Sequence, residues 1–431
     1  MHHLLPRTVV LLAAALLTAS ALAQSMTLAE AYETTLNRNL ELRGERTYVQ
    51  AEKAGVDEAW AGVKPQVDFT AGYGRTRYKR DLGLGGLEDG SDSPRRLDVG
   101  VSQVLYSRKA FKGIEQAERS VDKTQAQFEA TRSQIGINAL LSFLDVRRLE
   151  RLKAIVEQEL ESHQRQADQL REMLDRGFAT RAQWLEARSR VDEVRADVVR
   201  LDNEQRIALQ TLRQVTGLPV ETVVPVNEQL WQRTRAFLKN DWQQQARAQA
   251  PSLKIARAES RLARVSRQVA NAGHYPELSL RARYTDNDSF ATSLLEERRI
   301  ELQLVVPIYK GGATSARTRA ARYREEGAEW LLANELERIQ IEVERLKSEL
   351  SGSYSNIQAL KRAVASARES ENAAEEGFNA GLRNLTGLLD VRKRRSTIEQ
   401  DMVTAVYENL STRLELLALA GELNSQQLAK W

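Results

Sequence analysis

Punctuation residues recur along this chain at a nearly constant offset, and that duplication constrains its fold more than any other feature. Leu42 in NLEL and Leu253 in APSL lie 211 positions apart, as do Pro65 and Pro276, each just after an Ala-Gly pair. Further on, Tyr106 and Tyr309 are 203 apart, while Gly177 and Gly381, and likewise Gly217 and Gly421, are 204 apart. The offset changes between the two strand-like stretches of each copy, so the first copy carries the longer strand-to-strand loop, by about eight residues. Other lengths barely change.

Each copy reads helix, strand, loop, strand, very long helix, short turn, helix. Thr27-Leu28-Ala29-Glu30 is a capping box that opens the first helix, which the pattern carries to Ala61 with Leu42, Val49, Val56 and Val63 every seventh residue. Its partner begins near Asp241. Residues 108–176 contain no proline and place Ile114, Val121, Phe128 and Ile135 at sevens; residues 314–380 do the same with Ile339, Leu346, Val343, Leu350, Ile357 and Val364. At ~1.5 Å per residue each is on the order of 100 Å long. Gly177 and Gly381 suit the left-handed position past a helix end, and Thr180 and Asn384 suit the cap of the next helix. Those next helices, predicted at 181–216 and 385–420, carry Trp184, Val191 and Val198, and Val391, Ile398 and Ala405. The first helix and the one after the turn together match the length of the long helix, so two short helices stacked end to end would line one long one.

Four short stretches switch to a period of two. Val67, Phe69, Ala71 and Tyr73 alternate with polar or small residues, as do Leu97, Val99 and Val101, then Leu278, Leu280, Ala282 and Tyr284, then Ile300, Leu302 and Leu304. Strands are predicted at about 66–77, 96–106, 277–285 and 298–307, each about ten residues with one apolar and one polar face, the length a tilted membrane strand needs. A four-stranded sheet has two raw edges, which a bilayer forbids, and the smallest transmembrane barrels need about eight strands. Several copies must therefore share a barrel, and two, three or four copies all remain open. A small sheet packed on the protein's own helices is the competing reading. The segments between strands, Lys79–Arg95 with Gly83, Gly85, Gly86 and Gly90, and Asp286–Glu297, read as flexible loops rather than phosphate cradles, because no strand-to-helix context follows.

Composition narrows the chemistry. The chain has no Cys and four His, of which His2 and His3 sit in an N-terminal segment, leaving His163 and His274 far apart. No nucleophile–base pair, metal cluster or nucleotide motif converges, so neither an enzyme nor a cofactor is expected. Basic and acidic residues, 63 and 59, interleave along the helices, and the run Arg392-Lys393-Arg394-Arg395 lacks aromatic or Gly-rich companions. It reads as a solvated helix face, and nucleic acid is not an expected partner. Residues 1–23, with Arg7 before an apolar run and Ala21-Leu22-Ala23 after it, read as a secretory signal.

The organisation expected is a signal peptide at 1–23, a first repeat at 24–216, a linker at 217–240, a second repeat at 241–420 and a tail at 421–431. Pro219, Pro225 and Trp231 in the linker, together with the tail, are expected to form a collar around the helical body. The fold class is mainly α with a small β part: a long coiled-coil helical barrel plus four membrane strands that close only in an oligomer. Two functions fit these residues. One is an exit duct across the outer membrane; the other is a soluble periplasmic coiled-coil adaptor or scaffold.

With MTLAEAY and NLEL near its start, VPIYKGG at Val306–Gly312, GFNAGLRNLTGLLDV at Gly377–Val391 and the duplicated helix-strand-strand-helix unit, the chain resembles the TolC family of outer-membrane efflux and secretion channels over essentially its whole length. The resemblance implies a homotrimer whose pooled strands form one barrel in the lipid bilayer and whose helical columns form a periplasmic tunnel. It further implies that Gly177, Thr180, Gly381 and Asn384 mark the inner tip, where a periplasmic adaptor protein and an inner-membrane transporter dock. By position, Arg383 matches a linking arginine and Asp390 the second of two constriction aspartates, while Gly387 replaces the first. Phe378 stands in place of a linking tyrosine, and Gln183 in place of an aspartate partner of the arginine.

Overall fold

The computed structural model describes residues 25–81, 87–288 and 296–431; the expected signal segment and Gly83, Gly85 and Gly86 lie outside them. In chain order the elements are β1 (Ser25–Met26), α1 (Leu28–Arg38), α2 (Leu40–Ala61), β2 (Gln66–Tyr73), β3 (Thr76–Asp81), β4 (Leu87–Asp92), β5 (Arg95–Ser107), α3 (Arg108–Asp175) and α4 (Arg181–Thr216). A second series follows: β6 (Thr222–Val223), a 3-10 turn (Glu228–Arg233), α5 (Thr234–Phe237), α6 (Trp242–Gln249), α7 (Pro251–Ala272), β7 (Glu277–Asp288), β8 (Glu296–Val305), α8 (Ala313–Asn379), α9 (Leu385–Leu419) and α10 (Ser425–Leu428). Among the described residues no helix is long and apolar enough to cross a membrane.

Two elements differ from the expectation. The first helix of each copy is broken, at Asn39 and at Ala250. Asn39 has extended ψ and its side chain accepts the Leu42 amide at 3.1 Å, so it ends α1 and caps α2. Ala250 is held out of the helical region by Pro251, which takes the first position of α7, where a missing N–H costs nothing. The second difference lies between β2 and β5. There Thr76–Asp81 pairs antiparallel with Leu87–Asp92, so much of the segment expected as a flexible loop is a second hairpin.

The chain divides into two compact units, and each takes its residues from both repeats. One contains 44–130 and 251–337; the other contains the residues up to Arg43, 131–250 and 338–431.

In the first unit the sheet order is β2-β5-β7-β8, antiparallel throughout, so the two repeats meet at β5–β7 and leave β2 and β8 as edges. Its register lines up Val67, Val101, Ala282 and Ile300 in one row and Gln66, Ser102, Arg281 and Glu301 in the next. The apolar rows are uncovered: Phe69 is 68% exposed and Ile300 82%. The competing reading, in which this face packs on the protein's own helices, therefore fails. The helices repeat the order of the strands they join. Ser120 donates to Glu52 at 2.8 Å between α3 and α2, Gln116 donates to Ser266 at 3.0 Å between α3 and α7, and Arg267 pairs with Glu325 between α7 and α8. Like the sheet, this layer has two free ends, α2 and α8, and both carry bare apolar side chains: Tyr48 and Trp60 on one, Tyr323, Trp330 and Leu331 on the other.

In the second unit the linker, the tail and the N-terminus are tied together. β1 pairs parallel with β6, and the Asn227 amide donates to the Trp431 carbonyl. The Arg413 guanidinium lies 4.1 Å from the Phe237 ring centre, and its burial lowers its pKa to about 10. Tyr407 reaches Glu228 at 2.9 Å, and Thr234 reaches Asn409 at 3.1 Å. These contacts fasten the linker and tail to α9.

Candidate functional site

The site assembles where α3 turns into α4 and α8 turns into α9. Both turns are built alike because both need a left-handed residue: Gly177 has φ +80° and Gly381 φ +70°. The Phe178 amide then donates to the Met173 carbonyl at 2.7 Å, and Leu382 to Gly377 at 2.8 Å, the same six-residue closure in each copy. Thr180 starts α4 with a reciprocal cap, its hydroxyl accepting the Gln183 amide while Gln183 Oε1 accepts the Thr180 amide at 2.9 Å. Asn384 starts α9 by accepting the Gly387 amide at 2.9 Å. One residue after each glycine, Phe178 and Leu382 project into solvent, 78% and 87% exposed.

Beneath the turns, the helix ends share an apolar cluster of Ala167, Leu170, Ala187, Val191, Leu385 and Leu389, with Phe378 packed against it. Leu170, Leu385 and Leu389 are almost completely buried, each contributing about 1.5–3 kcal/mol. Phe378 has no hydroxyl to offer a linking hydrogen bond, and its contribution here is apolar.

The polar residues predicted for the gate are distributed unevenly. Gln183 spends its carboxamide on the α4 cap, and no hydrogen bond or ion pair among the described residues joins it to Arg383 within the protomer. Arg383 is exposed and lies over the first turn of α9, where a Cβ on residue 387 would come within 3.0 Å of its Nε. Glycine at 387 leaves that space to the arginine. Asp390 is 68% exposed and lies 3.8 Å from Arg190 Nη2 on α4.

Arg190 belongs to a ladder that the sequence reading missed. Thr386 donates to Glu186 at 2.8 Å, Arg190 approaches Asp390 and also pairs with Glu193, and Lys393 Nζ sits 3.1 Å from Glu193. These rungs fasten α4 to α9. The available signal was spacing, since 186, 190 and 193 face 386, 390 and 393, each series at intervals of four and three with complementary polarity. Because the turns repeat at 204 and the rungs meet at 200, a search at the repeat offset passes over them.

The run at Arg392–Arg395 is not a solvated face. Arg392 is 7% exposed, with Nη2 3.3 Å from Glu375, Nε 3.4 Å from Glu371 and Nη1 3.3 Å from Gln166 on α3. Arg395 pairs with Glu371 and Glu399, and Arg368 reaches Glu399 at 2.9 Å. Only Lys393 and Arg394 face solvent. On α9 as far as Ser396 the buried stripe is Leu385, Leu388, Leu389, Arg392 and Ser396; of the expected stripe, Val391 and Ile398 are half-buried and Ala405 is buried.

The ladder has a pH dependence of defined sign. The hydrogen bond from Lys393, followed by the charge of Arg190, holds the Glu193 carboxyl below its ordinary 4.5. A carboxyl depressed by folding adds stability that is complete above its ordinary value and is lost as pH falls through the depressed one. Amide protection factors along α4 and α9 beside the rungs are therefore expected to fall about two- to fivefold between about pH 7 and about pH 4, the scale of an exposed ion pair. Glu193→Gln should give the lower protection at both pH values.

Two strand hairpins with a bare apolar face, joined to two helical hairpins closed by matched turns, define a protomer of an outer-membrane channel. The chain belongs to the outer membrane efflux protein family, whose profile matches residues 31–218 and 242–422. It is 25% identical over 441 residues to outer membrane protein TolC of Vibrio cholerae, covering 99% of this chain and 97% of that protein. It is also 25% identical over 344 residues to the alkaline protease secretion protein AprF of Pseudomonas aeruginosa, covering 77% and 70%. The CmeC outer membrane channel of Campylobacter jejuni shares the fold at a TM-score of 0.76 and 14% identity, over 94% of this chain and 88% of that one.

Proposed function

We propose that this chain is a passive exit duct, not an enzyme, working as a homotrimer with a periplasmic adaptor and an inner-membrane transporter that supplies the energy. The observation that carries the reading is the pair of free ends in the first unit. The sheet ends at β2 and β8 and the helical layer at α2 and α8, with matching apolar residues bare at both ends. Head-to-tail repetition of such a protomer closes a ring, and the ring removes every raw edge from lipid. The polar sheet face then lines the lumen.

In the second unit, the exposed Phe178 and Leu382 on paired turns suit an adaptor that inserts between helix tips, with Gly177, Thr180, Gly381 and Asn384 setting the turn geometry. Asp390 and Arg383 supply charge at the constriction, and Arg190 partly offsets the Asp390 carboxylate, so cation preference in the closed pore is moderate. Gln183 and Phe378 serve the tip through the cap and the apolar cluster.

The test is extraction followed by planar-bilayer recording. The expected result is a detergent-dependent trimer from the outer-membrane fraction that forms stable conducting channels. Release by osmotic shock as a water-soluble monomer would identify a periplasmic adaptor or scaffold instead.

A further inference from the structure

On the same side of the sheet as its polar rows, Ser107, Glu277 and Val305 lead into a groove of about 780 Å³ between α3, α7 and α8. The groove is basic. Lys109, Lys123, Lys310, Arg317 and Arg324 line it against only Glu259 and Glu277. Lys123 is paired with Glu259 at 3.3 Å, whereas Lys109, Lys310, Arg317 and Arg324 form no ion pair among the described residues.

The other charged side of α8 is different. There Glu325 is shared by Arg264 and Arg267, and Glu329 takes Arg264 at 3.5 Å, so charge is neutralised in place. Along the groove, by contrast, four of the five cations have no carboxylate partner among the described residues. Like charges gathered without counter-charges repel one another, and an anionic ligand relieves that repulsion.

The layout of the cations selects the ligand. Their backbone positions are strung out along the groove rather than gathered on one turn. Arg317 and Arg324 are seven residues apart on α8, about 10 Å along the axis, with Lys310 seven residues earlier in the preceding loop; Lys109 faces them from α3. An extended polypeptide rises about 3.3 Å per residue, so a carboxylate on every third residue keeps pace with the row. Apolar walls from Leu262, Val269 and Tyr275 leave room for the side chains between.

We propose that this groove is a track for an acidic, extended segment of polypeptide cargo. The proposal rests on the duct reading, because the polar side must face the lumen for cargo to meet it.

The test uses the full chain in detergent, titrated with fluorescein-labelled poly-L-glutamate and followed by anisotropy, and the same protein in planar bilayers with the unlabelled polymer. Expected are saturable binding and current block. In the triple variant Lys310→Gln, Arg317→Gln and Arg324→Gln both should weaken about tenfold, with open conductance kept. Displacement of the polymer by inorganic phosphate at matched ionic strength and matched anion concentration would show a point-anion site and overturn the proposal. Equal affinity in wild type and variant also overturns it. Conductance without binding sinks the groove and spares the duct; binding without conductance sinks the duct.

Discussion

Val101→Arg is expected to reduce the assembled protein in the outer membrane at least about a hundredfold, while Ser102→Arg, its neighbour on β5, leaves assembly nearly unchanged. The two positions are adjacent in sequence and opposite in face. Val101 lies in the row Val67, Val101, Ala282 and Ile300, which offers no polar partner and faces lipid once the ring has closed. Ser102 lies in the row Gln66, Ser102, Arg281 and Glu301, where a new arginine reaches water; Arg281 stands directly opposite, and Asp68 on the diagonal of β2 offsets the added charge. An arginine on the lipid side of a barrel strand costs about 2–4 kcal/mol near the midplane, and every copy in the ring bears it. The measurement is the amount of oligomer in the outer-membrane fraction for each variant at equal expression. Should both variants assemble equally, the bare apolar face meets something other than lipid.

Most of the architecture could be read from residues because it repeats. A glycine that must be left-handed at 177 has a counterpart at 381, and alternation in β2 and β5 returns in β7 and β8, so each copy checks the other. Legibility failed where the determining partner is distant in sequence and outside the repeat offset. Arg392 looks like any charge in a basic run, and only the arrival of Glu371, Glu375 and Gln166 from two other helices makes it buried. Arg190 is equally silent until α4 and α9 lie side by side. The break at Asn39 was visible in principle, since Asn caps helices readily and Pro251 marks the same point in the second copy. The hairpin β3–β4 was obscured by its glycines and charges, which favour a loop reading until pairing supplies the hydrogen bonds.

The second large effect is expected from Glu371→Met, which should destabilise the unit carrying the helix turns by about 3–5 kcal/mol. Three cations, Arg368, Arg392 and Arg395, meet three carboxylates, Glu371, Glu375 and Glu399, along the α8–α9 seam, and Glu371 serves both Arg392 and Arg395. Arginine cannot shed its proton to escape, so removal of Glu371 leaves a nearly enclosed guanidinium at 392 with the half-exposed Glu375 as its remaining anion. The double variant Glu371→Met with Arg392→Met restores the balance of charge and fills the space with apolar atoms. It should recover about 1–3 kcal/mol relative to the sum of the single changes. Chemical denaturation of the four members of this cycle checks the stability arithmetic. Closed-state leak in bilayers checks its functional meaning. Because the same seam ties α8 to α9, and α9 also carries the partners of the Arg190 ladder, Glu371→Met should raise the leak, and the double variant should lower it again. A stable Glu371→Met protein with an unchanged leak would mean that the seam plays no part in the proposed gate.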